Sequence, residues 1–173
     1  DYFFFFIEIN PIKRSVQLQP LSREHHNGLL FVWKIKQGLE NNTHIDTLRK
    51  YTIWFWKNHI RPHFWQEEKL LMPHISVDHP FAVQLKEEHD HIKELIISID
   101  RNPDKLDFIH LVGLIERHIR FEERELFTYL EEHLSTGDLQ DIFNSMEKLA
   151  IPHDEGWTEE FWITKKEIVA KSL

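Results

Sequence analysis

Histidine and glutamate recur along this chain in a pattern suited to binding metal ions. Two similar segments, 63–72 and 118–127, each contain a histidine, a glutamate four residues later and a second glutamate directly after it. Two shorter segments place a glutamate directly before a histidine, at Glu24-His25 and Glu88-His89. Imidazole and carboxylate are ligands that many divalent cations accept in proteins. The order Glu-His, His-x-x-x-Glu, Glu-His, His-x-x-x-Glu is therefore an internal repeat of candidate ligands.

The spacing within the repeat predicts which way these side chains face. Residues four apart lie one turn from each other on the same face of an α-helix, so each longer segment stacks its histidine and first glutamate. Four predicted helices carry one histidine each on their most apolar stripe, and these are His25, His63, His89 and His118. Such stripes converge on the axis of a helical bundle.

Glu67 and Glu122 would then lie in the centre of the bundle, where a carboxylate needs a compensating charge. A buried carboxylate without a partner costs several kcal/mol, and two close together repel each other. The inward stripes contain no lysine or arginine. Bound metal removes both costs, since the carboxylates become ligands. Four imidazoles with two carboxylates suit a dinuclear non-haem iron site, which other hard or borderline cations could also occupy.

The composition excludes several other classes of protein. The 173 residues include 13 His and no Cys, which rules out a disulfide framework, a thiol nucleophile and cysteine-ligated clusters. A net charge of -8 argues against a nucleic-acid partner, which requires a basic face. The apolar run Phe3–Ile7 is too short to span a bilayer and lacks the features of a signal peptide. We therefore expect a cytoplasmic protein with no membrane partner.

Helical periodicity from Ser22 onward predicts an all-α fold. Four long helices are expected to begin near Ser22, His44, Pro80 and Lys105, with Ser22 as the first N-cap. Pro62 should kink the second helix, and Gly137 should stop the fourth. Short connections favour an up-down-up-down four-helix bundle. We expect an N-terminal arm over 1–17, the bundle over 18–135, and a C-terminal segment over 136–173 with one or two short helices packed on the bundle.

The combined signatures resemble the hemerythrin-like, or HHE cation-binding, domain family over about residues 18–135. The resemblance rests on 21–26, on 54–72, on Glu88-His89 and on 118–127. It implies a four-helix bundle that holds two non-haem iron ions bridged by carboxylates. Carried over residue by residue, the family's ligands fall on His25, His63, Glu67, His89, His118 and Glu122. The two glutamates are the bridges that the resemblance implies.

The chain departs from the oxygen-carrying members of the family in its third helix. Those carriers have a second histidine one turn after the position of His89, whereas this chain has Lys93. A replacement ligand could come from His59, which precedes His63 by four residues, or from His26, whose own stripe is more polar. His91 lies among acidic residues and is expected in solvent.

The second glutamate of each longer segment leaves a further alternative open. Glu123 could replace Glu122 as a ligand, since some relatives use the carboxylate five residues after the histidine. For Glu123 and for Glu68, the simpler interpretation is that the side chain faces solvent or contacts a metal-binding residue without binding the metal itself.

The leading functional hypothesis is a di-iron protein that binds dioxygen or another small diatomic molecule, in oxygen binding, storage or sensing. The alternative is a role in nitric-oxide or oxidative-stress response, or in iron–sulfur repair. Repair proteins often carry a Cys-bearing N-terminal module, which is absent from these residues. No nucleophile, general base or substrate pocket is evident, which favours binding over a dedicated enzymatic activity. The sequence leaves the oligomeric state open.

Overall fold

A computed structural model describes residues 13–149 and 156–164, and these form a bundle of four helices, A to D. Helix A is α1 (Gln19–Glu40) and helix C is α4 (Pro80–Arg101). Helix B spans 45–74 and consists of α2 (Ile45–Phe55), π1 (Trp56–Ile60), α3 (Arg61–Gln66), π2 (Glu67–Leu71) and a 3₁₀ turn (Met72–His74). Helix D spans 105–133 and consists of α5 (Lys105–Phe121), π3 (Glu122–Leu126) and α6 (Phe127–His133). A further helix, α7 (Thr136–Lys148), follows the bundle.

Side-chain caps fix most helix starts, and two of the predicted boundaries are wrong. His44, His79 and Asp104 accept hydrogen bonds from backbone N–H groups two residues on, as N-caps do. Helix A begins at Gln19, a turn before Ser22, because Pro20 suits the first turn. Gly137 does not stop helix D; it lies inside α7, whose start is fixed by a capping box.

Each helix runs antiparallel to its neighbour, which confirms the predicted up-down-up-down topology. On each seam between two helices, two contacts show this order, because the residue that comes later in one helix pairs with the residue that comes earlier in the other. The contacts are Lys36–Glu116 and His25–Glu123 between A and D, Phe31–Phe55 and Glu24–His63 between A and B, Arg49–Asp100 and Glu68–His89 between B and C, and Ser98–Asp107 and Glu88–His118 between C and D. The four seams thus join helices A to D in a closed circuit around one bundle axis.

The buried apolar side chains form two clusters rather than one continuous core. One cluster includes Phe31, Tyr51 and Phe55 with the facing halves of helices C and D. The other includes Leu21, Leu71 and residues of α7. Apolar layers on both sides deprive any polar group between them of water, so such a group needs partners inside the protein.

Helix B accommodates Pro62 by widening the turn before it. A proline inside a helix lacks an N–H and clashes with the carbonyl four residues earlier. Here the N–H of Arg61 reaches back five residues to the carbonyl of Trp56, which closes a π turn. The helix continues through the proline, and the predicted interruption takes the form of an added residue in one turn.

The C-terminal segment returns to the bundle at Phe161. This side chain is buried in the first cluster and packs edge-on against Tyr51, at 5.1 Å between ring centroids. The asparagine Asn41 donates a hydrogen bond to the Phe161 carbonyl. Within the described residues 156–164 the chain forms turns and no helix, so a second C-terminal helix is not present there.

The described residues include only part of the predicted domain division. The expected arm lies mostly outside the described residues, as does the stretch from 165 onward. The boundaries at 17 and 135 stay predictions. Among helices in the described part of the chain, none has the length and apolar character needed to cross a membrane.

The close approach at Gly38 predicts a sharp effect of adding one methyl group. A Cβ there would lie 2.6 Å from Leu48 Cδ2 and 2.8 Å from Phe161 Cδ2. We expect Gly38→Ala to lower the free energy of unfolding by about 1–3 kcal/mol, as overpacking does. Gly113→Ala is the matched control, since its Cβ would meet only the Arg117 guanidinium at 3.4 Å. The control should gain about 0.5–1 kcal/mol from helix propensity, and urea denaturation followed by circular dichroism measures both. Equal effects of the two substitutions would contradict the packing assigned to Phe161.

Candidate metal centre

Six of the seven predicted ligands converge between the two apolar clusters. They form two groups whose ligand atoms lie within 4.8 Å of one another: His25, His63, Glu67 and Glu122 in group 1, and His89, His118, Glu67 and Glu122 in group 2. All six side chains are buried, and both glutamates are 0% exposed. Each helix supplies one histidine, and helices B and D also supply the glutamates that the two groups share.

Glu67 divides its two carboxylate oxygens between the groups. Its Oε1 lies 3.0 Å from His63 Nε2 and 4.0 Å from His25 Nε2, in group 1. Its Oε2 lies 3.2 Å from His89 Nε2, in group 2. A carboxylate in this position can bridge two cations, one on each side.

Glu122 divides its oxygens in the same way. Its Oε2 lies 2.8 Å from His25 Nε2, in group 1. Its Oε1 lies 3.2 Å from His118 Nε2 and 3.9 Å from His89 Nε2, in group 2. Each group thus offers two imidazole nitrogens and two carboxylate oxygens, a donor set that suits iron or another cation of similar hardness.

Six inward-facing atoms of the centre lack normal hydrogen bonds. Neither oxygen of Glu67 or Glu122 accepts one of acceptable geometry, nor do the Nε2 atoms of His89 and His118 take part in one. Orphaned buried polar atoms are rare in folded proteins and need an explanation. A cation in each group would satisfy all of them, so the residues present fit a pair of metal ions.

Four further glutamates contact the four imidazoles on the side that faces away from the centre and so orient the rings. Each histidine directs its Nδ1 at a carboxylate of a neighbouring helix, and the pairs are His25–Glu123 at 2.7 Å, His63–Glu24 at 2.7 Å, His89–Glu68 at 2.8 Å and His118–Glu88 at 2.7 Å. An ionised carboxylate only accepts hydrogen bonds, so each Nδ1 carries a proton and donates it. The lone pair of each neutral imidazole is then on Nε2, which faces the centre.

These four hydrogen bonds form a closed ring around the bundle, which we call the carboxylate ring (Glu24, Glu68, Glu88 and Glu123). Helix A receives a bond from B, B from C, C from D and D from A. The ring explains the internal repeat, since each of its members directly precedes or follows a residue of the centre. The pairing between helices is the part that sequence reasoning missed, although the repeated Glu-His and Glu-Glu pairs were its signal.

Both shared glutamates stand at the first position of a π-helical segment. The carbonyl of Glu67 accepts from the N–H of Met72, and that of Glu122 from the N–H of Phe127, each five residues on. Segments π2 and π3 are therefore equivalent positions of the repeat. Single π turns in α-helices are often found at functional sites. These two begin where the first of two adjacent glutamates faces the centre and the second belongs to the carboxylate ring.

Burial and the neighbouring charges act in opposite directions on the imidazoles. Burial alone would lower the pKa of His89, but contacts with Glu122, Glu67 and Glu68 raise it to about 10. Burial likewise opposes the effect of Glu122 and Glu88 on His118, whose pKa is raised to about 9. Without a cation these imidazoles therefore hold protons at neutral pH. A metal ion must displace those protons, so metal binding strengthens as the pH rises.

The same balance applies to the shared carboxylates. Burial alone would raise the pKa of Glu122, yet His118, His25 and His89 hold it well below its usual range. For Glu67, burial and the charge of Glu122 act upward on the pKa, and contacts with His63 and His89 bring it below its ordinary value. Both carboxylates are thus ionised and ready to act as ligands.

The remaining candidates lie outside both groups. His59 stacks on Phe55 at 4.6 Å between ring centroids, and the π1 segment explains why the four-residue rule does not align it with His63. His26, His91 and Lys93 are exposed. Glu122 rather than Glu123 faces the centre, since Glu123 belongs to the carboxylate ring.

A cavity of about 550 Å³ reaches the centre between helices A and B. The four residues of the centre on its surface are His25, His63, His118 and Glu122. Apolar side chains form much of the remaining wall: Phe55, Ile60, Phe64, Ile92, Ile115 and Ile119. Polar side chains, among them Asn27, Asn58 and His59, also line it. A small molecule has a route to group 1 and to one side of group 2.

The fold and the site together define a helical bundle with a candidate cation site in its interior. The family model described as hemerythrin HHE cation binding domain matches residues 19–130, and the chain belongs to this family. The match covers all six residues of the centre and the whole carboxylate ring. No curated protein and no solved structure gives a significant match.

The orphaned atoms of the centre predict a large gain in stability on metal binding. Each ferrous ion, at 100 times its dissociation constant and added without oxygen, should stabilise the folded chain by about 2.7 kcal/mol. For a domain of this size that corresponds to a rise in Tm of about 5–10 °C per bound ion. The double variant Glu67→Gln with Glu122→Gln should lose this rise, whereas the exposed Glu132→Gln should keep it. Differential scanning calorimetry with and without a chelator measures the change, and an unchanged rise in the double variant would refute the assignment.

Proposed function

We propose that this chain is a non-haem di-iron protein that binds dioxygen or another small diatomic molecule. The observation that supports it most directly is the division of the Glu67 and Glu122 oxygens between two histidine pairs. One iron ion would be held by His25 and His63 and the other by His89 and His118. The two carboxylates would bridge the pair.

The bound iron would supply the electrons and open coordination positions that a diatomic ligand requires. The chain's own residues supply the rest. The carboxylate ring fixes one proton of each imidazole on Nδ1, so that Nε2 is the nitrogen that faces its ion. The apolar walls at Ile92, Ile115 and Ile119 limit the water beside the bound ligand, which slows loss of protons and side reactions there.

The cavity is compatible with a ligand of this size. Its volume of about 550 Å³ exceeds by far the roughly 30 Å³ that one water molecule occupies in the liquid. Gly28 lines the cavity opposite Ile119, and a Cβ there would come within 3.0 Å of Ile119 Cδ1. The glycine thus allows helix A to approach Ile119 of helix D closely at the wall of the cavity.

The ligand assignment predicts the metal content of single variants. His25→Ala and His118→Ala should each lower bound iron from two ions per chain toward one, because each removes a ligand from one group. His26→Ala is the matched control for His25, since its exposed side chain follows directly in sequence. Elemental analysis of protein reconstituted with ferrous iron gives the stoichiometry. Full iron content in both ligand variants would exclude this centre.

The response to gases distinguishes the proposed function from its alternative. Ferrous protein exposed to dioxygen should develop a visible charge-transfer band, which the double variant at Glu67 and Glu122 should lack. Return of the original spectrum under vacuum would indicate reversible binding, and persistence of the new band would argue against an oxygen carrier. Catalytic consumption of nitric oxide or peroxide would instead support a stress-response role. Absence of any spectral change in the iron-loaded protein would reject diatomic binding.

A further inference from the structure

We propose that the carboxylate ring lowers the reduction potential of the bound metal pair, so that the chain stabilises its oxidised form. The inference rests on the proposed di-iron centre and deepens it. Glu24, Glu68, Glu88 and Glu123 touch the imidazoles and not the metal positions, so they are positioning residues that act through the histidines.

The first argument is the hydrogen bonding. All four Nδ1–carboxylate distances are 2.7 or 2.8 Å, in the range of charge-assisted hydrogen bonds. A carboxylate that accepts the Nδ1 proton makes the opposite nitrogen more basic. A more basic Nε2 stabilises a trivalent ion more than a divalent one, because the ion's higher charge gains more from electron donation.

The second argument is the balance of charge. The centre and the ring contain six carboxylates, two shared and four behind the histidines, while the four imidazoles are neutral as ligands. Two divalent ions would leave two negative charges uncompensated, whereas two trivalent ions balance all six. Arg14 reduces this negative charge at Glu123, with which it forms an ion pair at 3.1 Å. The local field therefore favours the more highly charged pair.

Burial sets the order of the expected effects. The Glu88 side chain is 20% exposed and that of Glu24 is 42% exposed, although both hydrogen bonds measure 2.7 Å. Water screens a charge more effectively where the side chain is more exposed. Glu88 should therefore influence the potential more than Glu24, and Glu123 is partly neutralised by Arg14.

The electron balance is simple. Each ferrous ion gives up one electron and becomes ferric, and the acceptor is dioxygen in air or an oxidised mediator dye in a titration. No bond within the chain forms or breaks, and the ring residues keep their charges. A centre with this bias retains the oxidised state after contact with oxygen, which suits sensing better than reversible delivery.

The test is a redox titration of the iron-loaded full chain, followed by its visible spectrum, in Glu88→Gln, Glu24→Gln and Glu87→Gln. Glutamine keeps an oxygen that can accept the Nδ1 proton but removes the charge. Glu87 is exposed and adjacent to Glu88, so its substitution removes the same charge outside the ring. We expect a clear positive shift of the midpoint for Glu88→Gln, a smaller one for Glu24→Gln and none for Glu87→Gln.

The outcomes separate this inference from the proposed function. A wild-type protein that binds no iron would reject the di-iron proposal itself. Full iron content with equal midpoints in Glu88→Gln and Glu87→Gln would overturn the tuning role alone. Loss of iron in both ring variants, with retention in Glu87→Gln, would also overturn it, because the ring would then serve to retain the metal. Two iron ions per chain with the predicted order of shifts would support it.

Discussion

Two carboxylates in the middle of a protein, both without access to water, are the constraint on which this structure depends. Glu67 and Glu122 are 0% exposed, and the charge of one raises the energy of ionising the other. Apolar clusters on either side limit the solvent that could screen them. Four imidazoles meet this negative charge, with protons when no metal is bound and as ligands when cations replace those protons. The architecture is thus adapted to a positive centre.

The helices are arranged around that requirement. Each contributes one histidine to the centre and one glutamate to the carboxylate ring, so every seam of the bundle contains a hydrogen bond between a histidine of the centre and its carboxylate partner. The candidate centre and the packing of the helices consequently depend on the same side chains. The π turns at Glu67 and Glu122 serve the same purpose, since they begin where two successive glutamates must reach different partners.

Much of the centre could be predicted because its information is local. Histidine and glutamate four residues apart share a helix face in any α-helix, and a repeat of that pattern on apolar stripes has few structural explanations. The partners of Glu24, Glu68, Glu88 and Glu123 could not be predicted, because they depend on how neighbouring helices are rotated. His59 shows where the local rule fails, since a π turn changes the number of residues per turn. The predicted start of helix A was wrong because Pro20, which suits a first helical turn, outweighed the capping preference of Ser22.

X-ray absorption spectroscopy at the iron edge is the most direct test of the central claim, which is that two cations share Glu67 and Glu122. Iron-loaded protein should show a nitrogen and oxygen first shell with no sulfur, and scattering from a second iron at about 3.5–4 Å, the usual separation in two-metal sites. Iron-loaded protein that shows only light-atom scattering would contradict it. That result would mean a mononuclear site, and the division of the carboxylate oxygens would then need a different explanation.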